Sequence, residues 1–156
     1  MTNMPELKSK LRHWTLVLGV IQVTFGCMVG FIPPDAVQWF RGIVMAHMEF
    51  TANGVLMIVL GLLVKELGLG AMALKLWFVT LQLGTWTNGL AGLVGAFMGY
   101  SSKLMPTLSE KFPPPHGMDH PLVTGILQLC GVTIMLALLL TIFGLLTARA
   151  ATGDGR

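Results

Sequence analysis

Polar side chains that could do chemistry interrupt one otherwise apolar stretch, residues 43–64. His47, Glu49, Thr51 and Asn53 all fall in its first half. At about 1.5 Å per residue, a helix over this stretch would be roughly 33 Å long, enough to cross the hydrocarbon core of a bilayer. An ionisable side chain inside such a span costs about 2.5 kcal/mol or more, so it usually has a function. The stretch therefore predicts a membrane helix carrying a metal-ligand, proton-transfer or acid–base group.

The spacing divides these four residues between two helix faces. His47 and Thr51, four residues apart, share one face, and Glu49 and Asn53 share another that lies more than about 90° away. A single helix in a single subunit cannot easily direct both faces at one substrate. A site between subunits solves this problem, because one copy can present His47 while its neighbour presents Asn53.

The composition indicates an integral membrane protein of one domain. Apolar residues make up 54% of the chain and charged residues 11%, against about 25% charged residues in soluble domains. The net charge of +3 is small, and the basic residues lie at the ends of apolar stretches, where they suit lipid headgroups rather than nucleic acid. Cys27 and Cys130 lie in different apolar stretches and are interpreted as packing residues.

Four apolar stretches predict an all-α membrane protein, a four-transmembrane-helix bundle. Seven of the ten Lys and Arg residues fall on the side of this bundle that holds both termini, so the positive-inside rule places the termini in the cytoplasm. The predicted spans are about 14–32, 43–64, 74–100 and 122–146, within a single domain 1–156 whose tail, 149–156, is predicted to be disordered.

The third predicted span carries Asn88 in a stripe of glycines, close to Trp86. In this topology Asn53 lies ten residues, about 15 Å, inside Ile43, and Asn88 lies twelve residues, about 18 Å, inside Tyr100. The two amides would therefore reach a similar depth, as a shared pocket requires. The other interpretation is structural, since glycine stripes pack helices together and amides form hydrogen bonds between them.

Two connections carry further signals. Trp39, between the first two spans, has the position of an interfacial anchor. The connection 101–121 is the longest, and it contains Pro106 and the proline run 113–115. This connection is interpreted as a lid over the mouth of a site.

Three motifs carry a family resemblance. They are Ala46-His47-x-Glu49-x-x-x-Asn53-Gly54, Gly84-Thr85-Trp86-Thr87-Asn88-x-Leu90-Ala91 and Met105-Pro106. Together they resemble the bacterial hydroxylaminobenzene mutases, small membrane enzymes of nitroaromatic degradation that convert hydroxylaminobenzene to 2-aminophenol. The resemblance extends over roughly residues 14–147 and implies the bacterial inner membrane.

A wider resemblance reaches the styrene-oxide isomerases, four-helix membrane enzymes that open an epoxide to an aldehyde. In that family a histidine ligates haem b between the subunits of a trimer, which implies that His47 binds the haem iron and that this chain forms a homotrimer. The isomerase pattern has an aspartate and a tyrosine where this chain has Gly84 and Gly92. Those departures, and the match of Glu49 to the mutase pattern, favour the mutase.

The resemblance implies a role for each candidate residue. The haem iron on His47 would act as a Lewis acid toward the hydroxylamine, Glu49 would transfer protons, Asn53 and Asn88 would orient the substrate, and Trp86 would pack on its ring. The structural alternatives are a backbone hydrogen bond for His47 and a helix contact for Glu49.

Three other functions stay open at this point. A mutase without haem could use Glu49 and His47 as acid and base. An epoxide isomerase is the second possibility. The third is a small membrane transporter or adaptor whose buried polar residues guide a proton or an aromatic compound.

Overall fold

Four long helices build the molecule in the computed structural model, which describes residues 3–105 and 110–153, with side chains up to 148. Turns of 3-10 helix at Pro34–Ala36 and Val64–Glu66 follow the first two helices. Within the described part the β structure is one isolated bridge, between Tyr100 and Gly117. The prediction of an all-α chain is confirmed. The helices are α1 (Met4–Val29), α2 (Phe40–Leu63), α3 (Ala71–Met98) and α4 (Pro121–Gly153).

Three of these helices are long and apolar enough to cross a membrane, namely Met4–Val29, Phe40–Glu66 and Pro121–Ala148. The helix α3 has the length but is not among them, because side chains such as Gln82 and Asn88 reduce its apolar character. The predicted four-span bundle thus has three apolar spans and a fourth, more polar helix.

Two helix boundaries differ from the predicted spans. The helix α1 begins ten residues earlier than predicted, with Pro5 in its first turn, where the missing N–H of proline costs nothing. The helix α4 continues to Gly153, beyond the predicted end at 146. Of the tail predicted to be disordered, residues 154–156 lie outside the described residues.

The helices α1 and α2 pack almost backbone to backbone. A Cβ added at Gly54 of α2 would lie 2.7 Å from the backbone nitrogen of Val23, and one added at Gly26 of α1 would lie 2.8 Å from that of Thr51. Small residues allow such close approach, which is how helices in membranes gain packing energy. This contact sets the rotation of α2 relative to α1.

A second close contact, the α2–α3 seam, joins the next pair of helices. A Cβ at Gly42 would lie 2.8 Å from the backbone nitrogen of Ala96, and one at Gly92 would lie 3.0 Å from that of Ala46. The seam consists of Gly42, Ala46 and Phe50 on α2 and Gly89, Gly92 and Ala96 on α3. It fixes which residues of α2 and α3 face each other.

The helix α4 packs on α3. A Cβ at Gly84 would lie 2.8 Å from the backbone nitrogen of Ile134, and the indole Nε1 of Trp77 donates a hydrogen bond of 2.8 Å to Oγ1 of Thr141. The order of packing is therefore α1, α2, α3 and α4, with α3 between α2 and α4.

The position of Trp39 corrects its interpretation as an interfacial anchor. The side chain is only 4% exposed, and its Nε1 donates a hydrogen bond of 2.9 Å to the carbonyl oxygen of Phe112. Trp39 therefore ties the long connection to the start of α2. Pro106, part of the predicted lid and of a family motif, lies outside the described residues.

Polar contacts hold the other end of this connection. The Lys103 ammonium lies 3.3 Å from Oδ2 of Asp119, and Oγ1 of Thr124 donates a hydrogen bond of 2.7 Å to Oδ1 of Asp119. The Thr124 hydrogen bond, followed by one from the Lys103 backbone N–H, lowers the pKa of Asp119 from its ordinary value.

Candidate active site

Three of the predicted site residues meet in one hydrogen-bonded cluster. The amide Nδ2 of Asn53 donates to Oε2 of Glu49 at 3.3 Å, and the amide Nδ2 of Asn88 donates a short hydrogen bond to the same oxygen. All three side chains are partly or fully buried. We call Glu49, Asn53 and Asn88 the acid–amide cluster.

The α2–α3 seam brings this cluster together. Gly89 follows Asn88 in the sequence, and a Cβ added there would lie 2.6 Å from the ring of Phe50, the residue after Glu49. Because glycine leaves this room, α3 lies close enough to α2 for the Asn88 amide to reach the Glu49 carboxylate. Asn53 needs only the four-residue spacing within α2.

Glu49 borders a small hollow of about 100 Å³. Both hydrogen bonds from the asparagines go to Oε2, so neither uses Oε1. A carboxyl group held at one oxygen can exchange a proton at the other. The hollow is lined by Arg41, Val44, Met45, Met48 and Glu49.

One neighbour of the cluster was missed in the sequence. The thiol of Cys130 on α4 interacts with the side chain of Thr87 and lies within electrostatic range of Glu49. The sequence offers no reason to interpret Cys130 as anything but a packing residue, because its contact with Thr87 depends on how α4 packs on α3. The one clue in the sequence to this contact is Thr87, which lies next to Asn88.

His47 contacts the backbone of α1. Its Nδ1 lies 2.8 Å from the carbonyl oxygen of Gly26, and the backbone carbonyl oxygen of His47 accepts a hydrogen bond from Oγ1 of Thr51. A carbonyl oxygen only accepts hydrogen bonds, so Nδ1 carries the proton and the neutral ring keeps a lone pair on Nε2. Metal-binding histidines commonly donate their other N–H in this way. The predicted backbone hydrogen bond and the predicted ligand role are therefore compatible.

The residues around His47 would fit an apolar group such as haem. The ring lines a mostly apolar hollow of about 340 Å³. A Cβ at Gly30 would lie 2.9 Å from Nδ1 of His47, so glycine there leaves room for the ring. Among the described residues no group of three or more His, Cys, Asp or Glu could hold a bare metal ion, whereas haem iron can be held by one protein ligand. The hollow is lined by Cys27, Gly30, Phe31, Phe40, Ile43, Val44 and His47.

His47 and Glu49 do not come together within one chain. They line two different hollows, which share Val44, and Met48, which is 62% exposed, lines only the hollow that Glu49 borders. The two-faced arrangement predicted from the spacing is thus present in the fold.

Trp86 lies in an aromatic cluster between α1 and α2. Its ring centroid is 6.1 Å from that of Phe25 and 5.8 Å from that of Phe50, and these two phenylalanines pack edge to face. Phe50 also follows Glu49 in the sequence, so Trp86 borders the acid–amide cluster through this ring.

The site is thus a carboxylate held by two amides, one on α2, which is apolar enough to cross a membrane, and one on the more polar α3, and such a carboxylate can carry out acid–base chemistry. The model of the styrene oxide isomerase family matches residues 11–146, and the chain belongs to this family. The chain is also 27% identical, over 146 residues, to the hydroxylaminobenzene mutase HabB of Ectopseudomonas oleovorans, a match that covers 94% of this chain and 88% of that protein. No solved structure gives a significant match.

Both comparisons point to the same class of enzyme. The family and the mutase are isomerases, and the chain is therefore an isomerase of the membrane. The predicted resemblance to these two groups of proteins is confirmed.

Proposed function

We propose that this isomerase is a hydroxylaminobenzene mutase, which moves the hydroxyl group of an aryl hydroxylamine from nitrogen to the ortho ring carbon and yields a 2-aminophenol. The observation that carries the proposal is the acid–amide cluster, in which Glu49 is held by Asn53 and Asn88. The mutase relative supports the same substrate class.

The reaction requires one proton to move while no electrons are gained or lost overall. The N–O bond breaks, a C–O bond forms at the ortho carbon, the hydrogen of that carbon leaves as a proton, and the nitrogen gains one. Glu49 can accept the proton from carbon and return one to nitrogen, acting as general base and then as general acid. Its Oε1 atom is the site of exchange, since Oε2 accepts from both amides.

The two asparagines have a double role in this mechanism. Their Nδ2 groups hold the carboxyl group of Glu49 in place. Their carbonyl oxygens are acceptors that can orient the N–H and O–H groups of the substrate. Trp86 contributes through Phe50, against which it packs, to the apolar wall near the cluster.

Haem b is the proposed cofactor, and Nε2 of His47 would bind its iron. Phe31, Phe40 and Ile43 would supply apolar contacts to it. Bound there, the haem would supply a Lewis-acid iron for the hydroxylamine oxygen. Since His47 and Glu49 line different hollows within one chain, we propose a homotrimer in which His47 of one copy and the acid–amide cluster of the next form one site.

The proposed topology has four spans with both termini in the cytoplasm, in a bacterial inner membrane. Three spans are apolar enough by themselves. The helix α3 is 28 residues or about 42 Å long, and its polar residues are tolerated because α2 and α4 pack on it.

The test is to purify the protein, record its absorption spectrum and assay it with hydroxylaminobenzene and styrene oxide. We expect a Soret band and formation of 2-aminophenol. Aldehyde from styrene oxide, without 2-aminophenol, would identify the epoxide isomerase that the family model keeps as second candidate. Failure to convert either compound would favour a transporter or adaptor.

A further inference from the structure

A pocket lies at the start of α2, outside the acid–amide cluster. Its volume of about 600 Å³ falls in the range of about 300–1,000 Å³ that small-molecule sites occupy. Aromatic and apolar side chains form most of its wall, together with two cationic side chains. The lining residues are Trp39, Phe40, Arg41, Val44, Lys111, Phe112 and Pro113.

The two cations in this pocket form no ion pair with a carboxylate of the described residues. Within residues 3–105 and 110–148 the one ion pair is Lys103 with Asp119. The guanidinium carbon of Arg41 lies 5.2 Å, and the ammonium of Lys111 lies 6.0 Å, from the ring centroid of Phe112. The Nε atom of Arg41 is buried and has no hydrogen-bond partner among the described residues. A buried donor without an acceptor is unfavourable, so the hydrogen bonding of the Arg41 side chain is incomplete among the described residues.

The pocket adjoins the hollow of the proposed active site. Arg41 and Val44 line both the large pocket and the hollow that Glu49 borders. Arg41 and Glu49 are eight residues apart on α2, which is about 12 Å along the helix axis. A compound held at Arg41 therefore lies one small molecule's length from Glu49.

We propose that this pocket captures aromatic compounds bearing a carboxylate group before they reach Glu49. The carboxylate would accept hydrogen bonds from Arg41, whose planar fork suits a carboxylate, with Lys111 as a second cation. The ring would pack on Trp39 and Phe112. The proposed binding of an aryl carboxylate is argued from the pocket alone. Its conversion to a product rests on the proposed function.

The binding test uses ligands that cannot react. Binding of 4-aminobenzoate and of aniline is measured by calorimetry, with the full chain in nanodiscs of phosphatidylcholine. We expect 4-aminobenzoate to bind at least about tenfold more tightly, and this preference to fall about tenfold in Arg41→Gln and less in Arg41→Lys. Lys75→Gln, which removes an exposed charge elsewhere, is the matched control. Equal binding of both ligands, or a preference that Arg41→Gln leaves intact, would overturn the proposal.

A second arm separates the aryl carboxylate from a lipid headgroup. Adding phosphatidylglycerol to the nanodiscs should leave 4-aminobenzoate bound. If the anionic lipid displaces it, the cations belong to a headgroup site and the proposal fails.

The turnover test compares 4-hydroxylaminobenzoate with hydroxylaminobenzene. In Arg41→Gln we expect the ratio of the two kcat/KM values to fall about tenfold, through a rise in KM for the carboxylate. An unchanged ratio would overturn the proposal. In Glu49→Gln, 4-aminobenzoate should still bind. If the wild-type protein converts neither compound but binds 4-aminobenzoate as expected, the mutase assignment fails and the capture site stands.

Discussion

The carboxylate of Glu49 accepts a hydrogen bond from the side-chain amide of Asn88, a residue 39 positions further along the chain. The bond joins α2 to α3, and the Asn53 amide donates to the same carboxylate oxygen. An acid fixed at one oxygen by two neutral donors has a defined position without an ion pair, and Glu49 forms none with the described residues. Such an acid is suited to carrying a proton between two atoms of a small substrate.

Replacing this acid by its amide should remove the proton carrier and leave the fold intact. In Glu49→Gln the side-chain carbonyl still accepts from the asparagines, so we expect the rate of 2-aminophenol formation to fall by about 10²–10⁴-fold. Glu66→Gln, an exposed position after α2, should retain the wild-type rate. A Glu49→Gln protein with more than half of the wild-type rate would show that Glu49 carries no proton in the reaction.

The haem proposal predicts a graded loss of the cofactor. His47→Ala should purify without a Soret band, whereas His13→Ala, at an exposed position on α1, should keep it. Gly30→Ala would push a methyl group to 2.9 Å from Nδ1 of His47, so this variant should bind haem more weakly. The measurement is the ratio of Soret absorbance to protein absorbance. A full Soret band in His47→Ala would exclude this residue as the ligand.

The contact between α1 and α2 should not tolerate even one added methyl group. Gly54→Ala would place its Cβ 2.7 Å from the backbone of Val23, and the resulting overpacking should cost about 1–3 kcal/mol of unfolding free energy. Gly131→Ala on α4 meets open space, so it should be neutral or stabilise by up to about 1 kcal/mol. Unfolding of both variants in detergent tests the difference. Equal stability of the two would contradict the close approach of α1 and α2.

The local stability of the long connection should depend on pH through the ionisation of Asp119. Its pKa is lowered in the fold, first by the hydrogen bond from Thr124 and then by contacts with Lys103. A lowered pKa means that the stabilisation is present in full above the ordinary value of about 3.9 and is lost as the pH falls through the folded-state value. Hydrogen exchange of residues 110–120, corrected for intrinsic rates, should therefore be slow at pH 6 and accelerate below about pH 4.

The control for this prediction uses the finding that the Thr124 hydrogen bond lowers the pKa of Asp119 more than any one contact with Lys103 does. Asp119→Asn should show fast exchange at every pH, and Thr124→Val should accelerate exchange at pH 6 more than Lys103→Gln does. A larger effect of the lysine substitution would mean that the ion pair, and not the threonine, holds the carboxylate.

Helical periodicity was sufficient to predict that Glu49 and Asn53 lie together, and residue counting placed Asn88 at a similar depth. Which atoms meet could not be predicted, because it depends on the glycines of the α2–α3 seam. The hydrogen bond of His47 to Gly26 depends in the same way on the rotation of α2 against α1. Helical periodicity describes the faces of a single helix, whereas these contacts depend on how two helices pack against each other.

The polar character of α3 shows another limit. The length of its apolar run predicts a span, but side chains such as Gln82 and Asn88 leave it outside the helices that qualify by composition alone. The burial of Trp39 beneath Phe112 joins residues 73 positions apart, and no local pattern encodes that distance. The pocket between α2 and the long connection was invisible in the sequence for the same reason.

The tight fit of glycine against backbone along the α2–α3 seam has a consequence for engineering. Larger residues in this seam would move α3 away from α2. They would thereby separate Asn88 from the rest of the acid–amide cluster on α2. Met48 lines the hollow with a flexible side chain that is 62% exposed, whereas Met45 is buried and its Cε lies against Gly92 of that seam. Libraries intended to broaden the range of accepted arenes should therefore vary Met48 and keep Met45 and every glycine of the interhelical contact unchanged.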